Sequence, residues 1–269
     1  MNDRGPHVPR TTIALLLLAL TACSPASAPP EVEAPEPDAV FDYQLGGPYE
    51  PDKEVAAVAR DRTAKPAPGR YNVCYVNAFQ TQPGTSIDWW KEHHDELLLR
   101  KDGELVIDED WDEALLDIST EDKRQDLMRI VGPWLDGCAR DGYDAVEPDN
   151  LDSYTRSDGL LSAEDAAEFA RLLAVRAHGE GLAIGQKNTT DLLPRSEKIG
   201  FDFAVVEECA AYDECEPFRK AYDNRVFAVE YKADAFARGC RRWGGELSFT
   251  LRDLDVRPRG AKGYVFRTC

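Results

Sequence analysis

Carboxylates stand where two apolar, β-rich runs stop. Tyr143–Glu147 leads into Pro148-Asp149-Asn150, and Phe201–Val206 leads into Glu207-Glu208. Acids in such places suit the cleavage of a glycosidic bond, which takes two carboxyl groups flanking it, one of them to protonate the leaving oxygen. Side chains alternate faces along a strand. Tyr143, Ala145, Glu147 and Asp149 therefore share one face, as do Phe201, Phe203, Val205 and Glu207, while Glu208 points the opposite way. If the aromatic-lined face turns inward, Asp149 and Glu207 reach the mouth of the fold. Glu147 then lies one layer deeper, as an acid behind the pair or as a buried partner of Lys187. Plainer roles exist for both acids: Asp149 with Asn150 could cap the next helix, and Glu207 with Glu208 could be a solvated charge pair.

Other polar groups collect at the same ends. Further β-rich runs are Phe41–Leu45, Tyr71–Phe79, Ala114–Ile118, Leu182–Gln186, Val226–Glu230 and, as the weakest, Gly263–Arg267. They stop at Gln44, Asn77 to Gln80, Asp117 to Ser119, Gln186-Lys187-Asn188 and Glu230-Tyr231-Lys232. Tyr154 and Tyr212 closely follow the two candidate acids and suit a sugar-binding wall. Trp89, Trp90 and Trp111 offer flat surfaces on which sugars stack, whereas Trp134 falls mid-helix and reads as packing.

Helical stretches separate the runs. Pro51–Arg62 is periodic enough for a helix. Ser119-Thr120-Glu121-Asp122 opens one that runs through Ala139 past Pro133, and Ser162 with Asp165 forms a capping box ahead of Ala166–His178. Lys232–Trp243 carries the chain toward its end. Residues 81–111 show no clean period, as in a long connection of functional or mobile character. Strands alternating with helices imply a parallel sheet with crossover connections, and eight strands imply closure. The expected fold is α/β, a single-domain (β/α)8 TIM barrel, with its site at the C-terminal ends of the strands.

The first residues read as an export signal: a basic start, an apolar run from Ile13 to Leu20 too short to span a bilayer, and Leu20-Thr21-Ala22-Cys23, which resembles the lipobox of bacterial lipoproteins. The expected organisation is a signal peptide over 1–22, a lipidated Cys23 with a Pro/Ala/Glu-rich tether over 23–39, and a catalytic domain over 40–269. The protein would then be an exported cell-surface lipoprotein touching the membrane through its anchor alone. The alternative is a plain secretory signal with Cys23 as a spare thiol.

Six cysteines remain, an even number suited to three disulfides in an exported chain. Cys209 with Cys215 would close a short loop, Cys240 with Cys269 would tie down the C-terminus, and Cys74 with Cys138 follows by elimination. No C-x-x-C occurs, and His93, His94 and His178 lack ligand spacing, so neither a metal nor another cofactor is expected. No predicted strand ends in His, which argues against a metal-dependent amidohydrolase. The formal net charge of −18 argues against nucleic acid and anionic surfaces. It suits a cationic substrate, or simply keeps an exported monomer soluble.

Phe41-Asp42-Tyr43-Gln44-Leu45-Gly46-Gly47, Tyr75-Val76-Asn77, Leu116-Asp117-Ile118, Gly142 to Asp152 and Glu207-Glu208-Cys209 with Tyr212 and Cys215 occur in order across nearly all of the expected domain. Together they resemble the endo-α-1,4-polygalactosaminidase family of glycoside hydrolases, family 114. The resemblance implies a (β/α)8 barrel, hydrolysis of α-1,4-linked galactosamine polymers, and Asp149 and Glu207 as the catalytic pair. It also places Asp42, Tyr43, Asp152 and Lys187 at the sugar site, beside Asn77, Glu147, Tyr154 and Tyr212. Such a substrate is cationic when deacetylated. A lipid-anchored polysaccharide-binding protein on the same barrel is the competing expectation, because a fold does not fix activity.

Overall fold

The computed structural model describes residues 1–3, 5, 31–82 and 84–269. Cys23, nearly all of the expected signal segment and the first part of the expected tether lie outside the described residues. Residues 31–39 form no helix or strand, yet Val32 and Ala39 pack against the barrel interior, and the Tyr71 hydroxyl donates to the Glu33 carbonyl at 2.7 Å.

Eight parallel strands form the barrel: β1 (Phe41–Tyr43), β2 (Ala57–Asp61), β3 (Tyr71–Asn77), β4 (Ala145–Asp149), β5 (Ala183–Lys187), β6 (Phe203–Glu207), β7 (Val226–Glu230) and β8 (Ser248–Arg252). A ninth, β9 (Phe266–Thr268), lies antiparallel on β8. At the seam the Thr250 hydroxyl donates to the Phe41 carbonyl at 2.6 Å, so β8 meets β1 and the barrel nearly closes.

Two of these strands differ from the sequence reading. Ala57–Asp61 lies in the stretch expected to be a helix. Ala57 and Ala59 face the interior while Val58 packs outside with Val55 and Ala67. A strand buried on both faces reads as a continuous apolar run, which periodicity alone cannot tell from a buried helix. Ser248–Arg252 was missed because Ser248, Thr250 and Arg252 interrupt its hydrophobicity, although all three are buried. Conversely, Ala114–Ile118 is not a barrel strand. Glu113–Ala114 pairs with Ile107–Asp108 in a ribbon within the long connection after β3, and Leu115 and Leu116 make isolated antiparallel bridges to Gln80 and Leu98. The expected eighth strand near Gly263–Arg267 overlaps the antiparallel β9.

Helices follow their caps. In that long connection, α1 (Thr85–His93) forms where no period was visible. The Thr120 side chain accepts from the Lys123 amide to open α2 (Glu121–Asp141), and Gly142 at φ 90° ends it. The Ser162–Asp165 capping box opens α3 (Ala163–Gly179), and α4 (Ser196–Ile199), α5 (Cys209–Tyr212), α6 (Cys215–Ala221) and α7 (Ala233–Trp243) follow. Disulfides join Cys74 to Cys138, Cys209 to Cys215 and Cys240 to Cys269, the three pairs expected from the sequence, the first of them by elimination.

The interior is lopsided. Ala57, Ala59, Val73, Ala145, Ala183 and Gly185 line one side, and Phe41, Phe203 and Phe227 fill the other. Phe41 stacks on Phe227 at 4.1 Å between centroids, and Phe203 meets Phe227 edge-on at 5.9 Å. Gly185 makes this fit possible, since a Cβ there would lie 2.9 Å from the Phe203 ring. Gly185→Ala is therefore expected to destabilise the protein by about 1–3 kcal/mol through overpacking. Urea denaturation checks this, and unchanged stability would mean that Phe203 moves aside freely.

Candidate active site

The site grows out of one side chain. Lys187 ends β5 and, at 2% exposure, is enclosed within the barrel. Its ammonium lies 3.1 Å from Glu147 Oε1, 3.0 Å from Asp149 Oδ2 and 3.3 Å from Glu207 Oε2, and it donates to the Tyr43 hydroxyl at 3.2 Å. Strands β1, β4, β5 and β6 thus converge on one cation. Inward alternation puts Glu147 one layer below Asp149, where it accepts from Tyr43 at 2.7 Å and does not reach the cavity.

Each member of the pair is held further. The Tyr75 hydroxyl donates to Asp149 Oδ2 at 3.0 Å. Tyr231, just past β7, donates to Glu207 Oε1, while Asn188 Nδ2 donates to Oε2 at 3.4 Å and Asn188 Oδ1 accepts from the Glu207 amide at 2.8 Å. Tyr43, Tyr75, Asp149, Lys187, Glu207 and Tyr231 line a cavity of about 240 Å³, rimmed by Trp111 and by Leu254-Asp255-Val256.

Burial sets the electrostatics, and Lys187 divides them. Burial pushes the Lys187 ammonium down, but Asp149, Glu207, Tyr43 and Glu147 outweigh it and hold its pKa well above the ordinary lysine value. Burial raises Glu147 to about 7 against the pull of Lys187. Asp149 is also raised: burial acts first, Lys187 opposes it, and Glu207 and Asp152 add to it. Glu207 goes the other way. Burial alone would raise it, yet Lys187 and the hydrogen bonds from Tyr231 and Asn188 bring it below the ordinary glutamate value. Two carboxyls pushed apart in this way can share one proton between them, the state that acid-assisted cleavage requires.

Glu207 also lines a second cavity of about 270 Å³, together with Asp152, Asn188, Asp191, Tyr212 and Glu214. Tyr212 stands 66% exposed at its edge. Asp152 is held there by Arg156, and the Tyr154 hydroxyl bonds Thr189 and Asp191 beside it. Glu207 thus stands on the wall between two compartments. Another cavity, of about 460 Å³, is lined by Arg62, Asn77, Gln80, Trp89, Trp90 and Trp134, with no carboxylate among its described lining residues.

The expected site residues thus separate. Tyr43, Glu147, Asp149, Lys187 and Glu207 come together, and Asp152, Tyr154 and Tyr212 gather in the adjoining compartment. Asn77 faces the aromatic cleft. Asp42 is elsewhere: it is fully buried, accepts from Tyr49 at 2.7 Å and Gln44 at 2.8 Å, and pairs with Arg252, which fixes the barrel seam. Tyr75 and Tyr231 were overlooked, though the alternation that selected Asp149 also turns both inward. Glu113 was overlooked without any such signal, because it sits on the aperiodic connection. Cys209, Cys215 and Glu230 lie close enough to ligate a metal, but the two sulfurs are joined to each other and are not thiolates.

The profile of glycoside-hydrolase family GH114 matches residues 21–269. Among solved structures, Aspergillus fumigatus Ega3 in complex with galactosamine is similar, at TM-score 0.70 and 24% identity over 89% of this chain and 98% of that one. The glycoside hydrolase domain of PelA from Pseudomonas aeruginosa aligns at TM-score 0.55 and 15% identity over 84% and 98%. No curated protein matches the sequence.

Two outcomes are expected from the site itself. Lys187→Met removes the cation shared by three carboxyls and should destabilise the protein by about 3–5 kcal/mol near neutral pH. That deficit should shrink as pH falls, because protonated carboxyls need no counter-charge. Urea titrations at several pH values measure it, and a deficit independent of pH would contradict the electrostatic account. For the wild type, kcat/KM should be bell-shaped in pH. Its acid limb, where depressed Glu207 gains a proton, should fall below the ordinary glutamate value of about 4.3. Its alkaline limb, where the raised Asp149 loses one, should lie above the ordinary aspartate value.

Proposed function

We propose the reaction from one premise: the chain belongs to glycoside-hydrolase family GH114 and is a glycosidase. It cuts within α-1,4-linked polymers of galactosamine, using Asp149 and Glu207 as its catalytic pair. One observation carries the pair: both carboxyls meet at Lys187 in the barrel mouth, and Glu207 divides two sugar-sized compartments. The substrate is supported by the net charge of −18 and by the likeness to Aspergillus fumigatus Ega3, whose structure holds galactosamine.

In this reading one sugar occupies the cavity over Asp149 and the next lies between Tyr212 and Asp152. One carboxyl of the pair protonates the bridging oxygen while the other attacks the anomeric carbon, and water then releases the glycosyl ester. Spacing favours this two-step course. Oxygens at 3.0 and 3.3 Å from one nitrogen cannot stand more than about 6.3 Å apart, and they stand closer when both bond to one tetrahedral ammonium, whereas a pair that admits water between its members is separated by roughly 6.5–9.5 Å. Tyr231 and Asn188 orient Glu207, Tyr75 orients Asp149, and Lys187 stabilises whichever carboxylate is charged.

We also keep the export reading: a signal over 1–22 and acylation at Cys23 would hold the domain at a cell surface. Cys23→Ala should then release the protein from membranes. Equal membrane retention of the variant would end that part of the proposal.

The central test incubates the purified protein with partly deacetylated galactosaminogalactan. Viscosity should fall before many reducing ends appear, as internal cutting requires. Asp149→Asn and Glu207→Gln should each lower kcat by about 10²–10⁴-fold, and the first product seen by NMR should retain the α configuration. Binding without any cleavage by the wild type would instead favour a polysaccharide-binding protein.

A further inference from the structure

We propose that Glu113 is the anionic partner for the substrate's ammonium group, so that this loop acid, rather than the catalytic pair, makes the enzyme prefer free amino sugars over N-acetylated ones. The inference rests on the galactosamine-cleaving reading above and deepens it.

Glu113 comes from the short ribbon Ile107–Asp108 with Glu113–Ala114, which the β3–α2 connection folds over the barrel mouth. It lines the catalytic cavity with Asp149, Asn150 and Trp111, and is only 8% exposed. Gln80 Nε2 and Asn150 Nδ2 donate to the same oxygen, Oε2, at 3.0 and 3.2 Å. Gln80 and Asn150 therefore fix the carboxyl through Oε2. The Asn77 amide nitrogen, which has no other partner among the described residues, also lies close enough to act on it, while Oε1 faces the cavity wall without a hydrogen bond of regular geometry.

Among the described acids lining this cavity, Glu113 lacks a cation; Glu230, also buried without one, accepts from the Ala210 amide and does not line the cavity. Buried Asp42 pairs with Arg252, Asp108 with Arg156, and Asp117 with Lys123, while Lys187 serves Glu147, Asp149 and Glu207. Among the described residues no Lys, Arg or His forms an ion pair with Glu113. A buried carboxylate without a counter-charge is costly. Burial accordingly pushes Glu113 up to about 7, opposed by the Asn77 and Gln80 amides and reinforced by Asp149. An arriving ammonium would supply the missing charge, and ionisation of Glu113 would release a proton as it binds. An N-acetyl group brings neither charge nor that gain. Trp111, 54% exposed on the same ribbon, stands where it can cover the apolar face of the sugar.

Calorimetry with galactosamine, N-acetylgalactosamine and galactose tests this on the purified protein at pH 6 and 7. Wild type should bind galactosamine more tightly than the two uncharged sugars and release protons in doing so. Glu113→Gln, which keeps an amide oxygen for Gln80 and Asn150, should lose about tenfold or more in galactosamine affinity and release fewer protons. Its affinity for N-acetylgalactosamine should move by less than about threefold, which shows that the fold survives. Glu113→Asp retains the charge and should keep part of the preference. An unchanged galactosamine preference in Glu113→Gln overturns the assignment but leaves the glycosidase reading standing. A wild type that binds galactosamine no better than galactose, while still cutting the polymer, also overturns it. If wild type neither binds nor cuts any galactosamine polymer, the substrate reading and this inference fall together.

Discussion

A single buried ammonium among three carboxyl groups is the constraint around which this site is arranged. Glu147, Asp149 and Glu207 could not all approach one another in a low-dielectric interior without it, since a buried charge without a partner is strongly unfavourable. Lys187 resolves the conflict unevenly. It sits near Glu147, which remains raised, and near Glu207, which is lowered with the help of Tyr231 and Asn188. The cation that makes the cluster tolerable thereby also separates the acids electrically. It fixes their spacing too, because carboxyls tied to one nitrogen cannot drift apart without losing it.

The barrel interior exists in a form that admits this arrangement. Small residues on β2 to β5 and phenylalanines on β1, β6 and β7 fill the lower layers, and Gly185 leaves room for Phe203 directly beneath the layer that Lys187 occupies. A close-packed floor gives Lys187 and Glu147 no water to escape into. The polar layer above can then be specified by the few groups that reach it: Tyr43, Tyr75 and Tyr231 each donate a hydroxyl to a cluster member, an arrangement that a roomier barrel could not hold.

Legibility in the sequence followed the same division. Strand alternation alone turned Asp149 and Glu207 toward one mouth, put Glu147 beneath them and rejected Glu208, and the structure has each of them so. Resemblance named Tyr43 and Lys187, which the structure brings to the carboxylate cluster, and also Asp42, which it places across the seam in a pair with Arg252 that its neighbours in the sequence did not signal. The barrel was read as eight-stranded through offsetting errors. Ala57–Asp61 and Ser248–Arg252 were missed, while Ala114–Ile118 and the segment near Gly263 took their places. A strand apolar on both faces, and another with Ser, Thr and Arg turned inward, each lack the two-residue rhythm by which strands are recognised. Closure of the barrel supplies their burial, and no local pattern encodes that.

Chemistry and selectivity then fall on different parts of the chain. The proposed catalytic pair, Lys187 and the tyrosines that bond to them sit on or directly after strands, where register fixes positions closely and where a shift by one residue would turn every group outward. Glu113 and Trp111 belong to a connection with no period of its own, held over the mouth by the hydrogen bonds of Gln80 and Asn150. Loops tolerate change far better than strands do. If the proposed roles of Asp149, Glu207 and Glu113 hold, a barrel built in this way can keep the strand-borne pair constant while the loop acid is altered, so that charge preference shifts without disturbing the pair.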